Sequence, residues 1–315
     1  AEDMVRSVHV SSPQSGAEAL FRATGCTTHF FLAWTTSGDS FRLRYRRTVE
    51  SALRFHPEAC VVVFSPTLPL DFFQRFWDLG YNVIVERPDI RALLEGTPAE
   101  GWLRDVDHHR EGKYFYSHVT DIFRFATLHR YGGIYLDTDV FVERSLADLD
   151  EAARRLFEDQ SDAVIAAVPR DFKKPCDGVV NCKLPMVRSR GEMHSFNAGV
   201  VVFELDRWRS TKRLDSVASW ISRNEVSQGK VYKLGSNPPF VLAVGPDLAR
   251  LDPRWNCMRG IHRQHLHNTR CWGGAFIRHY PGGAKPWEDA EVARVRPPGW
   301  AAPWRFPRRE VCGIE

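Results

Sequence analysis

The sequence predicts an α/β fold with a mixed, mostly parallel, Rossmann-like sheet flanked by helices and an irregular C-terminal portion. Three observations predict it. Residues 29–36, 60–65 and 81–85 are short runs dominated by apolar, aromatic and β-branched side chains, the composition of buried strands. The segments between them suit helices, so strand, helix, strand, helix and strand follow in the order that parallel crossovers join. The third observation is the stretch Gly132-Gly133-Ile134-Tyr135-Leu136-Asp137-Thr138-Asp139-Val140. Two glycines suited to closing a helix lead into a short apolar strand and then two carboxylates one residue apart.

Each element has its own signal. Residues 40–56 read as the first helix, and Pro57 and Pro66 bracket the strand at 60–65. Residues 70–79 form an amphipathic helix ended by Gly80, before the strand at 81–85. Residues 87–112 are polar and irregular, a loop over the mouth of a site. A helix over 114–131 then leads through the two glycines into the carboxylate strand. In the less regular second half, 163–168 and 198–203 read as strands, 207–222 as a helix and 277–280 as a short strand carrying His279. Residues 170–195 form a Lys-, Arg- and Pro-rich excursion, and the chain from 294 onward is irregular. There is no internal repeat and no linker clean enough to separate independent domains.

Composition narrows the function. With 315 residues, 43% of them hydrophobic and 26% charged, the chain is an ordinary globular one. A formal charge of +4 makes no case for nucleic acid, though it helps attract a polyanionic small molecule. No run reaches the ~18 apolar residues needed to span a membrane. Because the chain begins at Ala1, a trimmed form that has lost a signal or anchor stays open. The seven cysteines contain no Cys-x-x-Cys pair, which argues against zinc. Cys176 with Cys182 and Cys257 with Cys271 suit local disulfides, with free thiols as the alternative. No Asn-x-Ser/Thr acceptor occurs. Neither a Gly-x-Gly-x-x-Gly after the first strand nor a P-loop is present, which argues against a dinucleotide-binding domain, an ATPase or a kinase.

The chemistry-bearing residues fall in four places. Asp137 and Asp139, at the carboxyl end of a strand where open α/β sheets bind ligands, offer hard oxygen ligands to Mg²⁺ or Mn²⁺. Asp121 and Arg124 are three apart on the preceding helix and share a face among apolar neighbours; a buried pair of this kind needs partners, and sugar hydroxyls would supply them. His279-Tyr280-Pro281-Gly282-Gly283-Ala284-Lys285 combines a metal-competent imidazole, glycines that let backbone N–H groups approach phosphate, and a neutralising lysine; the plain alternative is a turn with a stray basic residue. Asn197 places an amide just before a buried strand, where it could hydrogen-bond a substrate.

The run from Asp121 to Val140 resembles the sugar-binding region of the glycosyltransferase family that contains α-1,4-galactosyltransferase, α-1,4-N-acetylglucosaminyltransferase and the yeast initiating α-1,6-mannosyltransferase. The stretch from Thr48 to Phe64 and, more loosely, Leu93 to Trp102 are similar to its galactosyltransferase branch. Asn197 to Val201 and His279 to Trp287 are similar instead to the glycogenin-like and bacterial galactosyltransferase-like family, which shares the GT-A architecture.

The resemblance implies a single GT-A catalytic domain over 1–315, with a nucleotide-sugar half at 1–140, an acceptor half at 141–292 and an irregular tail at 293–315. It implies a retaining transferase using Mn²⁺, with Mg²⁺ as the alternative, held by Asp137, Asp139 and His279. Asp121, Arg124, Asn197 and Asn237 match donor-sugar positions, with Asp121 and Asn197 nearest the reacting carbon. Trp34 or Thr35, Thr138, Gly282 and Lys285 match nucleotide and diphosphate contacts. Where the galactosyltransferase branch has Gly-Pro, this chain has Ser236-Asn237-Pro238, a departure that bears on sugar and acceptor. The implied donor is a UDP-sugar, galactose or N-acetylglucosamine foremost, and the acceptor a glycan, glycolipid or glycoprotein. The implied compartment is the Golgi lumen, with membrane attachment only through an anchor outside this chain. A GDP-mannose enzyme, a nucleotide-sugar hydrolase and a non-catalytic glycan-binding module are the competing expectations.

Overall fold

A computed structural model describes residues 15–97, 99–104, 115–169, 179–233, 237–258 and 271–281. The first half forms a four-stranded parallel sheet from β1 (His29–Ala33), β2 (Cys60–Phe64), β3 (Asn82–Glu86) and β4 (Ile134–Tyr135), in the order β3-β2-β1-β4. Alternate side chains of β1 and β2 feed two separate cores. Phe31, Val62 and Phe64 face one core, with Ile122, Phe123 and Ala126 of the long helix Phe115–Tyr131. Phe30, Leu32, Val61 and Val63 face the other, with Val49, Ala52 and Leu53 of the helix Leu43–Phe55. A sheet covered on both faces needs continuous apolar strands, and this explains the runs read from the sequence.

The helices are numbered α1 (Gly16–Thr24), α2 (Leu43–Phe55), α3 (Gln74–Asp78), α4 (Ile90–Leu94), α5 (Glu100–Arg104) and α6 (Phe115–Tyr131) up to the carboxylate strand. After it come β5 (Val140–Val142), α7 (Ala147–Asp159), β6 (Ile165–Pro169), α8 (Pro185–Arg188), β7 (Phe196–Phe203), α9 (Leu205–Ser210), α10 (Arg213–Val226), α11 (Pro238–Val244), β8 (Leu248–Arg250), β9 (Cys257–Met258) and β10 (Ile277–His279). A second sheet has the order β5-β10-β9, and a third the order β7-β6-β8, with β7 lying beside β4.

The structure corrects several expectations. The helix expected at 70–79 is confined to α3, because Pro69 opens a turn in which Phe72 N donates to Pro69 O. The loop expected over 87–112 holds two short helices, α4 and α5, the first capped by Asp89, whose side chain accepts from Ala92 N. The single helix expected at 207–222 is two, α9 and α10, broken at Lys212, which has φ 53°. Residues 105–112, 170–178 and the tail from 294 onward lie outside the described residues.

Disulfides join Cys26 to Cys60 and Cys257 to Cys271, and Cys182 is disulfide-bonded as well. The second matches expectation. The first joins residues 34 apart in sequence that the β1–β2 pairing brings together, since His29 is in register with Cys60. Cys176 lies outside the described residues.

Candidate active site

The two glycines after α6 shape the approach to the carboxylates. Gly132 and Gly133 have φ of 70° and 79°, the left-handed region that costs a side-chain-bearing residue energy. A Cβ on Gly133 would stand 2.7 Å from the backbone oxygen of His29, so the chain passes β1 at a distance only glycine allows. Leu136 N then donates to Phe31 O at 2.9 Å, and the chain leaves the carboxyl end of β4 with Asp137.

Asp137, Thr138 and Asp139 form a tight turn before β5. Val140 N donates to Asp137 O at 3.1 Å, and the hydroxyl of buried Thr48 on α2 donates to Thr138 O at 2.7 Å. Thr138 therefore anchors the turn through its backbone. On the other side, Val140 pairs with His279 in the antiparallel β5–β10 ladder, and Tyr280 N donates to Asp139 O. That pairing carries His279 across 140 positions of sequence to the carboxylates. His279 Nε2 is 3.3 Å from Asp139 Oδ1, and the candidate ligand atoms of Asp137, Asp139 and His279 all lie within 4.8 Å of one another.

The donor set fits a hard or borderline divalent cation. Two carboxylate oxygens and one imidazole nitrogen suit Mn²⁺ or Mg²⁺ better than the softer, sulfur-seeking metals. The imidazole is 1% exposed while Asp137 and Asp139 are half-buried, so the cluster opens toward solvent from the carboxylate side. A metal here would be held by these three side chains.

α6 supplies the second group of residues. Arg124, nearly buried, donates from Nη2 to Asp137 Oδ1 at 2.8 Å and from Nη1 to Ala198 O at 3.0 Å, and lies over the Tyr135 ring. Burial opposes its charge, but Asp137, Tyr135 and Asp121 hold the guanidinium above its usual range. Asp121, one turn earlier, is 3% exposed and its Oδ2 has no hydrogen-bond partner among the described residues. Burial pushes its carboxyl up to about 7, Arg124 opposing and Asp137 reinforcing the shift. A buried carboxyl with an unsatisfied oxygen is costly unless a ligand completes it.

β7 brings up the remaining polar groups. Asn197 is 9% exposed, and its Oδ1 accepts from Gly199 N at 2.8 Å. Asn237, at the start of α11, is tied at both ends of its amide: Nδ2 donates to Phe196 O and Oδ1 accepts from Ala198 N. It braces the strand that carries Asn197. Trp34 and Thr35 are half-buried just beyond the carboxyl end of β1. The Trp34 indole donates to Ser37 O at 3.1 Å and packs against Phe41 and Tyr45. Gly282 and Lys285 lie outside the described residues. A separate cavity of about 460 Å³ opens near the amino-terminal ends of β1 and β4, lined by Thr28, Gly133, Ile134 and Val202, and none of the three candidate ligands borders it.

Two contributors give no signal in the sequence. Thr48 sits inside an ordinary helical pattern. Asn256, which accepts from His279 Nδ1 at 2.9 Å, precedes a disulfide cysteine in a turn with no motif of its own.

This arrangement is that of a GT-A fold with its Asp-x-Asp turn at the carboxyl end of the sheet. Residues 114–291, more than half of the chain, match the model for glycosyl transferase family 8, and residues 43–157 match the glycosyltransferase sugar-binding region containing the DXD motif. The chain belongs to glycosyl transferase family 8. It is 39% identical over 133 residues to an uncharacterized protein of Arabidopsis thaliana, At4g19900, covering 42% of this chain and 21% of that protein. It is 37% identical over 149 residues to lactosylceramide 4-alpha-galactosyltransferase of Mus musculus, covering 45% and 40%. The chain thus spans well under two thirds of these relatives' length. Among solved structures, galactosyltransferase LgtC in complex with donor and acceptor sugar analogues superposes with TM-score 0.53 at 18% identity, covering 87% of this chain and 99% of that one. The bifunctional glycosyltransferase WbbM gives TM-score 0.57 at 14% identity, covering 83% and 47%. These two likenesses establish the fold.

Proposed function

We propose that this chain is a retaining glycosyltransferase that moves a hexose, galactose or N-acetylglucosamine foremost, from a UDP-sugar to a glycan, glycolipid or glycoprotein hydroxyl, with Mn²⁺ at Asp137, Asp139 and His279. The observation that carries this reading is the convergence of those three side chains at a sheet's carboxyl end, next to a buried carboxyl whose Oδ2 lacks a partner among the described residues. The likeness to a protein named as a lactosylceramide galactosyltransferase supports galactose and a glycolipid acceptor.

The reaction joins the acceptor oxygen to the anomeric carbon and breaks the bond from that carbon to the diphosphate. The acceptor's proton passes to the leaving phosphate, and nucleoside diphosphate is released. A bound divalent cation would neutralise the charge that gathers on the leaving group. Lys285 is assigned the same task from the sequence. Asp121 and Arg124 grip the sugar's hydroxyls, the carboxyl accepting and the guanidinium donating. Asn197 keeps Oδ1 on the backbone of Gly199, which suits it to donate through Nδ2 rather than to attack carbon. That favours front-face transfer over a covalent glycosyl intermediate. Trp34 or Thr35 meets the base. The disulfides fit an oxidising lumen such as the Golgi.

A panel of nucleotide sugars incubated with the protein and Mn²⁺, followed by a glycan acceptor array, tests the reading. Transfer from a UDP-hexose that requires both Mn²⁺ and an acceptor supports it. Transfer from GDP-mannose alone corrects the donor. Release of free sugar at a rate no acceptor improves makes the chain a hydrolase, and no turnover with any donor leaves a binding module.

A further inference from the structure

The hydrogen bonds behind His279 carry one more assignment, which rests on the metal reading above. Asn256 ends the 3-10 turn Pro253–Asn256 and is 0% exposed. Its amide lies between two groups of known character. On one side is the backbone oxygen of Asn197, 3.3 Å from Asn256 Nδ2. A carbonyl oxygen only accepts, so the nitrogen end of the amide must face it. Oδ1 therefore faces His279 Nδ1, 2.9 Å away, and an amide oxygen also only accepts. The proton in that bond belongs to Nδ1.

A neutral imidazole with its proton on Nδ1 has its lone pair on Nε2. Nε2 is the nitrogen that stands 3.3 Å from Asp139 Oδ1, inside the candidate ligand cluster. The ring has little freedom to turn away. A Cβ on Gly199 would stand 2.3 Å from His279 Cε1 and 2.8 Å from Nδ1, so the bare backbone of β7 lies against the ring.

We propose that Asn256 is a positioning residue that locks His279 in the Nδ1–H tautomer and aims Nε2 at the divalent cation. Through Asn197 O, Asn256 and His279, the strand bearing the sugar-site amide is tied to the metal ligand, so the two are set by one chain of hydrogen bonds. Gly199 is the steric partner of this lock: any side chain there displaces the imidazole.

Nitrogen-15 spectra of His279 in the cation-free wild-type protein, followed to alkaline pH until the imidazole is neutral, test the tautomer directly. The expected signature is a protonated Nδ1 with an unprotonated Nε2, and a predominant Nε2–H tautomer overturns the proposal. Free-Mn²⁺ titration by electron paramagnetic resonance then compares N256L, N256D and H279A, with thermal unfolding as the control for folding. N256L removes the acceptor at similar volume and is expected to weaken Mn²⁺ binding by about 10–100-fold. N256D restores an acceptor toward Nδ1 and is expected to lose less than about tenfold. If H279A abolishes Mn²⁺ binding while N256L binds as wild type, Asn256 has no positioning role and the metal reading stands. If H279A also binds as wild type, the metal reading itself fails.

Discussion

Arg124 donates to Asp137 Oδ1 at 2.8 Å, so the first carboxylate of the Asp-x-Asp turn is held by the helix that precedes it. The same guanidinium reaches Ala198 O on β7. One side chain thus bolts α6 to both β4 and β7 and presents Asp121 beside them. Arg124→Ala breaks these bonds and leaves Asp137 without its cation. The expected cost is about 2–4 kcal/mol of stability, by analogy with other partly buried ion pairs that lose one partner. Urea denaturation measures it, and a loss below about 0.5 kcal/mol would make the pair a surface contact in energetic terms.

Gly133 is required by geometry. Its φ of 79° and the 2.7 Å that would separate an alanine Cβ from His29 O leave no room for a side chain. Gly133→Ala is expected to cost about 2–4 kcal/mol and to loosen the carboxylate turn. Gly25→Ala is the control, because Gly25 has φ 65° but nothing within 4 Å of its Cβ position. There only the backbone cost remains, about 1 kcal/mol. Equal losses at the two positions, measured by denaturant midpoints, would mean that the β1 contact is not tight.

Glu86 confers a pH dependence. Its carboxylate accepts from Ala17 N at 2.7 Å at the start of α1, yet burial pushes it up to about 7, with the backbone bonds from Ala17 and Gly16 opposing. Unfolded, the group titrates near the ordinary glutamate value of 4.5. Between these values the folded chain holds a proton that the unfolded chain has lost. This contribution to stability is therefore full below the unfolded value and declines as pH rises through about 7. Glu86→Gln keeps an acceptor and removes the charge. It is expected to equal wild type at about pH 4 and to exceed it at about pH 8 by about 1–3 kcal/mol. Thermal unfolding across that range checks the difference; parallel profiles would show that Glu86 titrates normally.

The strands of the parallel sheet are legible because burial on both faces writes continuous apolar runs, as at 60–65, into the chain. α7 writes no such run: its apolar residues Leu149, Ala153 and Phe157 recur every fourth position between charged ones, a helical stripe in place of a strand's block. The Asp-x-Asp turn and the Asp121–Arg124 pair are readable from local spacing. His279 is legible as a metal-competent imidazole, but its joining the two carboxylates is reached only through the resemblance, since the β5–β10 pairing that brings it to Asp139 is non-local. Asn256, Thr48 and Gly199 act through bonds or clearances to residues far away in sequence, and nothing in their neighbours signals this. Asn237 matches a sugar contact by resemblance, and its amide makes two backbone bonds that brace β7, a role the sequence did not signal.

Asp139, with Asp137 and His279, is proposed to hold a divalent cation. Mn²⁺ titration of wild type and Asp139→Ala, with and without uridine diphosphate, tests it most directly. The expected result is a wild-type site that tightens when the nucleotide is present, and a variant that folds normally but loses Mn²⁺ binding by at least about 100-fold, as when a direct ligand is removed. Equal Mn²⁺ affinity in the two proteins would contradict it.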